Sequence, residues 1–352
     1  MPNDAQSGRE LRTEAVDFSF GEIVNLHNDK EIIISPEYQR LFRWQDEQKS
    51  RLIESILVQL PIPPIFLVEN DDGILELIDG LQRVSSVIQF IAAHDIDREP
   101  LRLIGCDLMK ELNGKVYEDL PLADRLRIKR TPIRAIIIKK QGNTYIKYEL
   151  FKRLNTGGSL LSAQEIRNCS SRMVDGGEEF YKIIQSLAQY QPFKVAIERL
   201  PENDLKEKGD EELVLRFFAT KNFLDGYHGN VKEWLDSYME SVLFKKSEFE
   251  ATRESESFQK IFQLLSEKFG KDAFARYRDG QAQGRLAPAY FEAVVGGALS
   301  NIDAIAKKSP EALKRALAVL LESSDFREVT GPGANTIEKL GKRIQLVSEC
   351  FR

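Results

Sequence analysis

Apolar residues change their spacing several times along the chain, and each change marks an element. The first regular run opens at Ser19, where Ser19 and Glu22 have the spacing of a capping box and Phe18 is placed to staple against Ile23. Residues 1–15 ahead of it read as a disordered tail. "EIII" predicts a strand, and "SPEYQRLFRW" behind it mixes polar and aromatic residues around Pro36, which resists regular structure. "DEQKSRLIESILVQ" predicts a helix capped by Asp46 that buries Leu52, Ile53, Ile56 and Leu57 and stops before "PIPP". "IFLVE", the turn "NDDG" and "ILELI" predict a hairpin. Its second strand then changes period in "ILELIDGLQRVSSVIQFI": Ile74, Leu75, Leu77 and Ile78 read as a strand, whereas Val84, Val87, Ile88 and Ile91 recur at helical spacing. A strand therefore runs into a helix through Asp79 and Gly80.

Further on, "LADRLRIKR" predicts a helix, "PIRAIII" a strand, and "NTYIKYELFKRLN" a helix capped by Asn143. "LNTGGS" is a glycine turn, followed by a second capping box of Ser162 with Glu165. From about residue 166 the readable segments are helical, and the strands are expected to end. This order predicts an α+β domain over residues 16–165 and an α-helical domain over residues 166–352, with the acidic run "PENDLKEKGDEE" as a solvated connection.

Charge narrows the function. A formal net charge of −5 over 352 residues argues against a general affinity for DNA, so any nucleic-acid contact must be local. No apolar run approaches a membrane span and "MPNDAQSGRELRTE" has no apolar core of a signal peptide, so a cytoplasmic protein is expected. Cys106, Cys169 and Cys350 are scattered and lack a C-x-x-C pair, which disfavours a disulfide framework or a thiolate metal site.

Three polar segments carry candidate chemistry. In "IDGLQR", Asp79 ends a strand where it could hold Mg²⁺ or orient a water, Gly80 lets backbone approach a ligand, and Arg83 lies in the first helical turn, where it could fork onto a phosphate. The plainer reading makes Asp79 a helix cap and Arg83 a solvated side chain. "YQR" places Gln39 and Arg40 beside Tyr38, Phe42 and Trp44; the plainer reading is an aromatic cluster with Arg40 reaching outward. "RLNTGG" sets Arg153, Asn155 and Thr156 before Gly157 and Gly158, either as an anion-binding nest or as a glycine helix stop. Three such segments in one domain suggest a shared polyanion site.

"PEYQRLFRW", "RLIESILVQLPIPPIFL", "ELIDGLQRVSSVIQF" and "FKRLNTGGSLLSAQEIRN" together resemble the N-terminal domain of GmrSD-type modification-dependent (type IV) restriction systems, and "GDEELVLRFFA" is similar to that family's helical continuation. The resemblance covers about residues 30–240. It implies a ParB/sulfiredoxin-like fold and an NTPase sensor subunit of anti-phage DNA restriction. It also implies that Gln39, Arg40, Gly80, Gln82, Arg83, Arg153, Asn155, Thr156 and Gly157 hold an NTP, that Asp79 and Arg83 are catalytic, and that Asp79 carries Mg²⁺. The expected partners are modified phage DNA, a separate HNH nuclease subunit and a second copy of the chain. Where the family usually has Gln this chain has Leu81, which leaves a non-hydrolysing, nucleotide-gated switch as the alternative.

A nuclease of its own is not expected. His27, His94 and His228 fall at two helix ends and in a loop, without a His-x-x-Pro element, and "EQK" at Glu47–Lys49 lies on an amphipathic helix without a preceding strand carboxylate. "FARYRDGQAQGR" is the one carboxy-terminal stretch read as touching DNA: Arg276, Arg278 and Arg285 with Phe274 and Tyr277, in a loop, combine phosphate contact with base stacking. A solvated loop between helices is the plainer reading. "TGPGAN" is read as a simple turn.

Overall fold

The strand-to-helix junction at Asp79 and Gly80 closes an inner strand of a five-stranded sheet. In this computed structural model the chain divides into two units between Leu160 and Leu161, and the structure describes residues 13–34, 44–70, 72–139, 148–149, 152–153, 162–172, 174, 176–331 and 333–352. The sheet of the first unit contains β1 (Thr13–Ser19), β2 (Ile32–Ile33), β3 (Ile65–Glu69), β4 (Leu75–Asp79) and β5 (Pro132–Ile138), in the spatial order β1-β5-β3-β4-β2. β3 and β4 form the expected antiparallel hairpin, and β3 also pairs with β5 in parallel. Four helices accompany these strands among the described residues: α1 (Phe20–Asn28), α2 (Asp46–Leu57), α3 (Leu81–Ala92) and α4 (Leu122–Arg130). The apolar periods lie where spacing put them, with Leu52, Ile53, Ile56 and Leu57 of α2 and Val84, Val87 and Ile88 of α3 buried.

β1 corrects the sequence reading. Thr13, the first of the described residues, already lies in a strand inside the stretch assigned to the tail; this edge strand is mostly exposed and owes its place to partners far along the chain. Asp17 lies opposite Arg134 of β5 and accepts from its Nε and Nη2 at 3.0 and 3.1 Å. A second correction concerns α2, whose cap position is Gln45: its N–H donates to Gln48 Oε1 at 3.0 Å, while Asp46 is the first helical residue and pairs with Lys49 at 2.9 Å. Buried Glu54 on the same helix accepts the backbone N–H groups of Leu108 and Met109 at 2.7 Å each, tying the long segment between α3 and α4 to α2. "SPEYQRLFR", the Asn143 cap and the "NTGGS" turn lie outside the described residues.

The second unit opens with α5 (Ala163–Ser171), for which Ser162 and Glu165 form the expected capping box. The helices that follow are α6 (Gly177–Ala188), α7 (Gln191–Ala196), α8 (Glu202–Lys206), α9 (Gly209–Asn222), α10 (Val231–Leu243), α11 (Ala251–Phe269), α12 (Pro288–Leu299), α13 (Ile302–Lys307), α14 (Pro310–Glu322), α15 (Ser324–Thr330) and α16 (Ile337–Phe351). The acidic connection thus contains the short α8. Strands do not end at residue 165 either: β6 (Arg276–Arg278) and β7 (Gln281–Gln283) pair antiparallel where a loop was expected.

Two features hold this unit together. An aromatic cluster joins Phe217 of α9 to Phe258 and Phe262 of α11, with ring centroids 5.0 and 5.7 Å away. Beside it runs a buried chain of ions: Asp236–Arg167 at 2.7 Å, Arg167–Glu212 at 3.1 Å, Glu212–Arg216 at 2.8 Å, Arg216–Glu292 at 2.6 Å, and Glu292–Arg343. The arginines hold the Glu212 carboxyl below its ordinary range despite its burial, and the paired carboxylates raise Arg216 above its own. Glycines let α12 and α16 meet closely, since a Cβ on Gly296 or Gly297 would stand 2.7 Å from Ile344 or Val347.

Removing one partner from such a chain leaves the others charged and buried. Glu292→Ala is expected to destabilise the second unit by about 3–5 kcal/mol, read in denaturant by the fluorescence of Trp234, the one tryptophan of residues 161–352. The three cysteines are free and partly or fully buried. Burial, helped by the carboxylates of Glu54 and Asp107, pushes Cys106 up to about 11, and burial also raises Cys169 and Cys350. Alkylation at neutral pH should therefore be far slower in the native chain than in denaturant, where all three thiols return to the ordinary range.

Candidate functional site

β4 passes into α3 through one residue. Gly80 has φ 101°, a region L side chains rarely adopt, and a Cβ there would lie 2.4 Å from Ile65 Cγ2 and 3.3 Å from Arg83 Nη2. Packing against β3 thus demands glycine at this position whether or not a ligand approaches. The tight turn also leaves the amino terminus of α3 without any side-chain cap. A helix start of that kind concentrates unpaired N–H donors and the positive end of the helix dipole.

Neither half of the plainer reading of Asp79 and Arg83 describes what is found. Asp79 does not cap the helix; it accepts from Arg83 Nη2 at 2.9 Å. Arg83 is not solvated: its side chain is 18 % exposed, Nη2 also donates to the Pro64 carbonyl at 3.0 Å, and Nε is buried without a hydrogen-bond partner among the described residues. The guanidinium therefore spans the end of β4 and the approach to β3, and keeps an unused donor.

Gln82 supplies the link to a second predicted segment. Its Oε1 accepts the backbone N–H of Trp44 at 3.1 Å, so the end of "PEYQRLFRW" lies against the first turn of α3. Gln39 and Arg40 lie outside the described residues, as do Asn155, Thr156 and Gly157. Arg153 is described; it is exposed and pairs with Glu149 at 3.2 Å, one helical turn away. The structure thus brings Asp79, Gly80, Gln82 and Arg83 together with the backbone of Trp44 and Pro64.

The fit of the expected groups can be tested on these atoms. A phosphate suits an uncapped helix start beside an arginine. Mg²⁺ usually takes one or two carboxylates and fills its shell with water and substrate oxygens. Asp79 offers one such carboxylate, half engaged by Arg83. No cluster of three or more His, Cys, Asp or Glu able to hold a metal ion occurs among the described residues.

The sequence reading missed a second feature on the same helix. A cleft of about 640 Å³ is lined by Lys49, Ser85, Gln89 and Arg98, among others. Gln89 is buried; its Nε2 donates to the Glu99 carbonyl at 3.0 Å, while Oε1 is buried without a partner among the described residues. The available signal was the polar set Ser85, Ser86 and Gln89 within the apolar stretch "RVSSVIQFI".

In the second unit, Arg276, Arg278 and Arg285 are exposed. Phe274 is buried and cannot stack on a base, which corrects the reading of this stretch; Tyr277 is half-buried. His27 and His94 stand at helix ends and His228 in a loop, as their sequence context predicts.

Against this geometry, one family model matches: GmrSD restriction endonuclease, N-terminal domain, over residues 20–171. The matched span, in which the chain is similar to that domain, includes the β4–α3 turn. The run "GDEELVLRFFA" lies beyond it, in α9. No curated protein matches the chain. Among the described residues no helix is long and apolar enough to cross a membrane.

Packing at Gly80 gives a prediction independent of any ligand. Gly80→Ala should cost the first unit at least about 1–3 kcal/mol from backbone strain alone, measured by denaturant unfolding followed at Trp44.

Proposed function

We propose that the chain is the nucleotide-binding component of a DNA restriction system. An NTP places its phosphates at the uncapped start of α3, between Gly80, Gln82 and Arg83 and the aromatic segment that ends at Trp44. The observation that carries this reading is the Gln82–Trp44 bond, which joins two of the three polar segments at a helix terminus suited to an anion. Gln39, Arg40, Arg153, Asn155, Thr156 and Gly157 complete the set in the family's pattern, within a ParB/sulfiredoxin-like arrangement of the first unit. Mg²⁺ bound with the nucleotide would meet the free oxygen of Asp79 and neutralise phosphate charge. Modified phage DNA is the target, and a separate HNH subunit supplies the cut.

The Asp79–Arg83 pair favours a second reading on one point. With its carboxylate engaged by the neighbouring guanidinium and with Leu81 in place of the family's Gln, the site is better equipped to bind a nucleotide than to hydrolyse it. On that reading, occupancy gates the partner nuclease or DNA.

Calorimetry with each NTP and Mg²⁺ tests the binding. Wild type should bind one of them, and Gln82→Ala or Arg83→Ala should weaken that binding at least about tenfold. Equal affinities in all three proteins would remove the site. Phosphate release separates the two readings: turnover selects the NTPase, while binding without turnover that Leu81→Gln restores selects the switch.

A further inference from the structure

The hairpin of residues 276–283 has an outward face of unusual composition. Arg276 pairs in register with Gln283, and Arg278 with Gln281; all four are exposed. Tyr277 and Ala282, the cross-strand pair between them, are half-buried and border a cavity shared with Lys314 and Arg315 of α14. Alternation along each strand therefore puts two arginines and two glutamines together on one side.

The hairpin is held at both its tip and its base. Asp279 and Gly280 both have positive φ, at 53° and 74°, as a tight two-residue turn requires. The N–H of Gly280 donates to Glu322 Oε1 at 2.8 Å, fixing the tip to α14. At its base, Arg199 donates to the Gly284 carbonyl at 3.1 Å and to the Ala282 carbonyl at 3.4 Å, while Asp272 holds the same guanidinium at 2.7 Å. None of these locks uses the four outward side chains. Among the described residues, the ion pair on that face is between Arg278 and Asp279 at 3.8 Å, with both side chains at least 80 % exposed.

Arginine and glutamine are the side chains that make two-point contacts to guanine and adenine in the major groove, where both purines present N7. A two-stranded ribbon fits that groove, and three paired residues span about 10 Å against a groove about 12 Å wide. We propose that residues 276–283 form a base-reading ribbon that enters the major groove of duplex DNA, with Arg276, Arg278, Gln281 and Gln283 addressing base edges. The proposal rests on the reading that the chain acts on DNA and names the element that makes the contact.

The test uses the full chain, with and without nucleotide and Mg²⁺. A random-sequence DNA duplex pool is enriched by binding, and the selected duplex is then compared by fluorescence anisotropy with three probes: the same duplex carrying 7-deazapurines, an unselected duplex, and an RNA duplex of the same sequence. Wild type should prefer the selected DNA, lose about tenfold on 7-deaza substitution, and bind the deep, narrow-grooved RNA at least about tenfold more weakly. Arg276→Ala with Arg278→Ala, and Gln281→Ala with Gln283→Ala, should each erase preference at different base positions, with the unfolding transition at Trp234 unchanged.

The proposal is overturned if no sequence is enriched, if 7-deaza substitution is silent, if RNA binds as well, or if the variants lose affinity equally for every duplex, which marks phosphate contact alone. Tight binding of DNA by wild type and variants alike sinks the ribbon and leaves the DNA reading standing. Absence of binding to unmodified duplexes and to modified phage DNA alike, in every nucleotide state, sinks both, whereas the nucleotide site is judged separately by calorimetry.

Discussion

The close approach of Gly80 to Ile65 governs the first unit. β4 has a single residue in which to turn into α3, and the side of that turn facing β3 has no room for a methyl group. Three consequences follow from this one contact. The cap position falls on a residue without a side chain, so the start of α3 keeps donors that a Ser or Asp would otherwise satisfy. Asp79, left at the strand end, turns to Arg83. Arg83 in turn reaches Pro64, closing the turn against the strand that Gly80 already touches. The packing that requires glycine also creates the uncapped positive helix end, so fold and candidate site cannot be varied separately.

The second unit solves a different problem. Its helices bury Arg167, Arg216, Glu292 and Arg343, and desolvating so many ions is costly unless each finds a partner of opposite sign. The chain of contacts from Asp236 to Arg343 joins α5, α9, α10, α12 and α16 through directional bonds, which a purely apolar interface would not supply. Such bonds specify which helices meet and in what register, whereas the aromatic cluster buries apolar surface without that directionality. Arg199 extends the same logic to the surface, where it fixes the base of the β6–β7 hairpin through two carbonyls and a carboxylate.

Local pattern made much of this architecture legible. The period change at Asp79, the boxes of Ser19 with Glu22 and Ser162 with Glu165, and the strand "PIRAIII" are set by neighbours within a few residues, and each is found in place. What escaped depends on distant partners. β1 is a strand because Arg134, 117 residues away, receives Asp17, and its own apolar content is too low to announce it. The β6–β7 hairpin is too short to show a period, so only the turn "DG" marked it. Of the site, sequence located the helix start and the arginine but not their contacts within the fold: Gly80 packs on Ile65, and Arg83 pairs with Asp79.

The acidic balance of the chain gives these features a common logic. With a net charge of −5 the molecule as a whole repels polyanions, so neither a nucleotide nor DNA is drawn by a broad positive field. An anion must instead be recognised where backbone N–H groups and one or two arginines converge, as at α3, because fixed donors act at short range and are little weakened by distant charge. For DNA the same condition disfavours tight binding to arbitrary sequence, which rests on phosphate neutralisation. A rigid ribbon with only two arginines adds little to that term. Its two glutamines carry no charge, and on the proposed base-reading role they contribute through base edges, so that discrimination rises without a matching rise in non-specific affinity. On the function proposed above, which requires ignoring most DNA and responding to a small part of it, that division between weak attraction and directional contact is what the chain needs.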